Sequence, residues 1–176
     1  MKSIAEIDIL ERAHNLGAKT LGDAADSLLA RWHSGMRDNE TFIRLAFLCW
    51  YSRSEPNGYN GLSDTLPNVD ELIDELGGLS SVSAESKFVL AALATGFPWC
   101  LGEEKRWAHL ALQLPEDVRI LEPKSVVFSE WRYIFGFQED SKALRHELYS
   151  EFHARFDGRG YMGIYLQSVF GRRVGF

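Results

Sequence analysis

Apolar residues recur along the chain at helical intervals. Ile4, Ile7, Leu10 and Ala13 fall on one face of a first helix, and Gly17 follows as a stop. A second helix is predicted from near Thr20 to Gly35, with Asp23 three residues on as a weak capping box. Its inward positions are Ala24, Leu28, Leu29 and Trp32. Asp38 suits the N-cap of a third helix, and Glu40 suits its positively polarised first turn. That helix, Thr41 to Tyr51, is apolar nearly all round. A helix of that kind must be surrounded by others, so it is expected at the centre of the fold.

The stretch Ser54 to Pro67 reads SEPNGYNGLSDTLP, a composition that predicts a loop. Asn68 then caps a short helix with Glu71 at its third position, and Gly77-Gly78 ends it. Ser83 opens a buried helix that Gly96 and Pro98 stop. Gly102 opens another, with Trp107, Leu110, Ala111 and Leu114 inward and Pro115 expected to close it. Residues 116 to 137 fit either state: Val127, Trp131, Ile134 and Phe135 read as helix, Val126-Val127-Phe128 equally as strand. Leu144, Leu148, Phe152 and Phe156 repeat every four residues, which predicts a helix from Glu139 to Phe156. The expected fold is therefore all-α, one domain over residues 1–176, with seven to eight helices around the central one. The alternative is α+β, with strands near Val118 to Phe128 and Tyr161 to Val169.

Composition sharpens this. A chain of 176 residues with 45% hydrophobic and 25% charged residues can bury a full core. The formal net charge is −6, and it resides in residues 1–88, which hold 14 acids and 8 bases. A phosphate-backbone binder needs a basic field, so nucleic acid is not expected as a partner. Two cysteines do not make a secreted disulfide framework, acids occupy the N-terminal segment, and no apolar run approaches a membrane span. A cytoplasmic protein without membrane, cofactor or metal is the expectation.

The candidate chemistry is sparse. In the helix after Asn68, Val69, Leu72, Ile73 and Leu76 face inward, so Asp70, Glu71, Asp74 and Glu75 share the outer face. No Lys or Arg lies between Asp64 and Glu85. A docking face for a basic protein partner and a merely solvated acidic face both explain the pattern. Tyr59, in a Gly/Asn setting next to this helix, adds rigid contact area. These five residues form the expected partner-binding set, and a small acidic protein-binding module of the immunity or antitoxin kind is the expected function. The alternative is a hydrolase or transferase using Cys100 with His109 and Glu104, Cys100 preceding a helix N-terminus that lowers a thiol pKa. A third reading is a small-molecule pocket drawn from Trp32, Trp50, Trp99, Trp107 and Trp131. The Gly158–Gly163 match to GxGxxG follows a helix rather than a strand and reads as a turn, with Arg155 and Arg159 as weak anion candidates. His146 and His153 stand too far apart to share an ion without a third ligand.

Overall fold

The computed structural model describes residues 1–55 and 57–175, the side chains of residues 57 and 58 excepted. Among them no strand is present. The helices are α1 (Ile4–Asn15), α2 (Leu21–His33), α3 (Asn39–Ser54), α4 (Asn57–Asn60), α5 (Val69–Glu75), α6 (Ala84–Gly96), α7 (Glu104–Leu121), α8 (Val126–Ser129), α9 (Trp131–Ile134), α10 (Arg145–Phe156) and α11 (Gly160–Val174). The central position of α3 is confirmed: every residue from Thr41 to Ser52 is buried. Helices α2, α5, α6 and α11 pack around it. Among the described residues no helix is long and apolar enough to cross a membrane.

Local polar signals set most helix starts. Ser3, Asp38, Asn68 and Ser83 each accept a backbone N–H of the first turn, with full capping boxes at Ser3/Glu6 and Asn68/Glu71. Thr20 departs from the expected box: its hydroxyl donates to the Leu10 carbonyl at 2.6 Å and ties α2 to α1 instead.

Four other expectations are corrected. Pro115 does not close α7, which runs on to Leu121. An interior proline forfeits one backbone hydrogen bond, but Leu114, Pro115 and Val118 are all buried, and that burial carries the helix through. Val126-Val127-Phe128 forms a helical turn because Ser125 caps it and Glu151 accepts the N–H groups of Val126 and Val127 at 2.6 and 3.3 Å. The α+β alternative therefore fails here, and it fails again at Tyr161–Val169, inside α11. The loop from Ser54 holds a helical turn, α4, and α3 itself reaches Ser54; residue 56 and the side chains of 57 and 58 lie outside the described residues. The helix expected from Glu139 starts late, at Arg145, because Glu130 accepts the Lys142 N–H and the Ser141 hydroxyl and holds the preceding segment out of the helix.

One charged side chain sits inside the central helix. Arg44 is 2% exposed. Its guanidinium donates to Glu11 at 2.5 Å, to Asp8 and Glu40 at 3.1 Å, and to the Gly158 carbonyl at 3.3 Å. A buried charge is tolerable only when its hydrogen-bonding capacity is met in this way. Glu11, 1% exposed, also accepts the backbone N–H of Tyr161, so α1 caps the start of α11. Gly160 is required there: its φ is +55°, and a Cβ would collide with the Glu11 carboxylate. The pairing continues outward through Glu40–Arg159 at 3.2 Å, Arg159–Glu85, and Arg155 with Glu122 and Glu151 at 2.9 and 2.8 Å. Arg155 and Arg159, the weak anion candidates, are thus committed to carboxylates within the chain.

Burial pushes the Glu11 carboxyl up from 4.5 to about 7, against the opposing pull of Arg44. Because the folded state holds this proton more tightly, the group's contribution to stability is present below its unfolded pKa and is lost as pH rises through about 7. Measured against Glu11→Gln by urea unfolding, the wild-type chain should lose stability between about pH 5 and about pH 8. Parallel pH profiles for the two proteins would show that Glu11 does not titrate in this range.

Candidate functional site

The acidic helix α5 is built as the sequence implies, with Val69, Leu72 and Ile73 buried and Glu71, Asp74 and Glu75 outward. Its charges are not all unmet, which corrects the expectation drawn from the missing local bases. Asp70 accepts from Arg106 at 2.5 Å and from the indole N–H of Trp107 at 3.1 Å. Glu75 accepts from Arg37 at 2.5 Å and from the indole N–H of Trp32 at 2.9 Å. Both tryptophans are wholly buried. In each case the same arginine lies over the ring whose N–H the carboxylate accepts, Arg37 at 5.0 Å and Arg106 at 5.8 Å from the ring centre.

These are two copies of one device. A buried tryptophan needs an acceptor for its N–H, a carboxylate on α5 supplies it, and an arginine neutralises the carboxylate while covering the ring. One device fastens α5 to α7 and the other fastens it to α2. A Cβ on Gly102 would collide with the Asp70 carboxylate, so the segment leading into α7 is shaped around that contact. The partners lie 36 to 43 residues from their acids, beyond any local reading of the sequence.

The other two acids are different. Glu71 accepts the Asn68 backbone N–H in the capping box and is otherwise outward. Asp74 is exposed and has no ion-pair partner among the described residues. Tyr59 is 80% exposed, on α4.

Between α2 and α5 the surface forms a cleft of about 290 Å3. Its apolar lining residues are Leu29, Trp32, Pro67 and Leu72, and its titratable ones are His33, Glu71 and Glu75. The end of the connecting segment, Thr65 and Pro67, is brought against α5 here; Tyr59 and Asp74 do not line the cleft, and Asp70 turns away toward α7. The cleft therefore joins two of the five expected contact residues. It also includes Leu29, Pro67 and Leu72, which sequence patterning assigns only to packing or turns.

Cys100 is not prepared as a nucleophile. It is 1% exposed, and burial raises its thiol above the ordinary value, with Arg53 the opposing influence. His109 and Glu104 are exposed on α7, so the three do not assemble into a triad. Cys49, inside α3, is pushed up to about 12 by burial. Of the five tryptophans, Trp32, Trp50, Trp107 and Trp131 are core residues and Trp99 is 54% exposed; Trp32, Trp50 and Trp131 line three different surface openings. Comparison of the chain with protein families, with characterised proteins and with solved structures gives no match, and the site is read from its geometry.

The two fastenings separate the four acids by role. Asp70→Ala or Glu75→Ala leaves a buried indole N–H without its acceptor and should cost about 1–3 kcal/mol in urea unfolding. Asp74→Ala should change stability by no more than about 0.5 kcal/mol. Equal, small effects at all three positions would show that the tryptophan contacts hold nothing.

Proposed function

We propose that the protein is a binding module for a basic partner protein, and that the α2–α5 cleft receives a cationic side chain of that partner. The observation that supports this is the arrangement of the cleft, with Glu71 and Glu75 beside the apolar surface of Leu29, Pro67 and Leu72. An arginine or lysine presents matching parts, an aliphatic stem and a charged head. Glu75 is already shared with Arg37, so the added cation is met mainly by Glu71, with exposed Asp74 contributing at longer range. This narrows the contact set from four acids to two. Occlusion by the whole acidic face is not part of the proposal, because Asp70 and Glu75 are each paired with an arginine of the same chain.

The chain's net charge of −6 favours encounter with a basic surface and makes it salt-dependent. An immunity or antitoxin protein that neutralises a basic enzyme is one form of this reading, supported by charge and size. Arg37 and Arg106 are structural in this account, each neutralising a carboxylate that holds a tryptophan, and they do not compete for the partner.

A random-peptide selection against the full chain tests the reading. Enriched sequences should carry Arg or Lys next to an apolar residue. The double substitution Glu71→Lys with Asp74→Lys should weaken the best peptide at least about tenfold, since it reverses both free charges. The fold should survive at a cost of about 1 kcal/mol for the lost capping-box acceptor, because the Asn68 side chain still caps α5 and neither acid has a cross-helix hydrogen bond or ion pair among the described residues. Enrichment of neutral or acidic sequences, or binding indifferent to the double substitution, contradicts the proposal.

A further inference from the structure

The surface opens a second time, between the end of α6 and the middle of α11, into a cavity of about 200 Å3. Its principal walls are Trp50, Leu93, Phe97, Phe135, Tyr165 and Phe170. Thr95 is among the other lining residues, and its hydroxyl already donates to the Ala91 carbonyl at 2.9 Å. Among the described residues no charged side chain lines the cavity.

The walls are held in place by the fold. Trp50 and Leu93 are each 2% exposed, Phe135 8% and Phe170 9%. The Trp50 indole N–H donates to the Phe97 carbonyl at 3.3 Å. The rings of Trp50 and Tyr165 lie 5.5 Å apart, and those of Phe135 and Phe170 5.4 Å apart. The space is thus a fixed absence between packed rings, and atoms facing it lose dispersion contacts that an apolar occupant would restore. At the mouth, Phe97 is 37% exposed and meets the exposed Trp99 edge to face at 5.4 Å.

We propose that this cavity is a binding site for a small neutral molecule carrying one aromatic ring, of the size of toluene or indole. The volume sets the upper size: an apolar cavity of about 150 Å3 accommodates benzene. Wall chemistry sets the polarity, because a charged group taken among these walls would give up its hydration with no charged lining side chain to meet it. Aromatic walls favour an aromatic guest through offset and edge-to-face contacts. The site shares no lining residue with the α2–α5 cleft, and it stands or falls independently of the basic-partner reading.

Thermal unfolding of the full chain with added probes provides the test. Millimolar toluene or indole should raise Tm saturably, by about 3 °C. Benzoate and benzylammonium should bind at least about tenfold more weakly. A Cβ on Gly96, which also lines the cavity, would meet nothing within 4 Å, so Gly96→Phe starts its side chain in open space at the wall. That variant should keep its own Tm and lose the shift. If it folds poorly, nuclear Overhauser contacts from indole to the Leu93 and Leu166 methyls decide the matter, and their absence overturns the proposal. No saturable shift with either neutral probe, equal binding of the charged probes, or an undiminished shift in a folded Gly96→Phe would each overturn it. So would a dimer that this substitution dissolves, since a second copy would then be the occupant.

Discussion

One guanidinium, Arg44, organises this fold. It sits in the middle of the most buried helix and is shared by Asp8, Glu11 and Glu40. Removing water from an arginine costs several kcal/mol, and Glu40 on α3 meets only part of that cost, so the position is stable only while further acceptors are delivered from outside α3. Two come from α1, and the Gly158 carbonyl comes from the turn before α11. The requirement therefore dictates how three helices meet. Glu11 transmits it further, because the same carboxylate accepts the Tyr161 N–H and leaves no room for a side chain at residue 160.

The same logic recurs at smaller scale around α5. Each end of that helix gives a carboxylate to a buried indole N–H and receives an arginine in return. Much of the acidity in the first half of the chain is thus structural, consumed by arginines and tryptophans distant in sequence. The candidate function rests on what remains after this consumption, Glu71 and Asp74. The aromatic cavity at α6 and α11 shares no lining residue with either arrangement, and among the described residues no charged side chain lines it.

The sequence discloses those parts of the fold that depend on near neighbours. The starts of α3, α5 and α6 follow from Asp38, Asn68 and Ser83, whose side chains act within three residues. The centrality of α3 follows from its apolar run. Periodicity is silent about Arg44, because a single arginine among apolar residues reads as an outward exception, whereas its acceptors lie 33 to 114 residues away or one turn back. The partners of Asp70 and Glu75 are hidden for the same reason. Pro115 misleads because a local rule is overridden by burial on both sides of it. Val126 to Phe128 misleads because the group that settles its conformation, Glu151, belongs to α10.

Native-state hydrogen exchange on Arg44→Met tests most directly whether this one side chain joins α1, α3 and α11 into a single unit. The account predicts that α11 amides in the variant exchange through a partial opening well below the global unfolding free energy, while α6 and α7 keep their protection relative to global unfolding. Uniform loss of protection across all helices, or α11 amides that still open only with the whole chain, would contradict it.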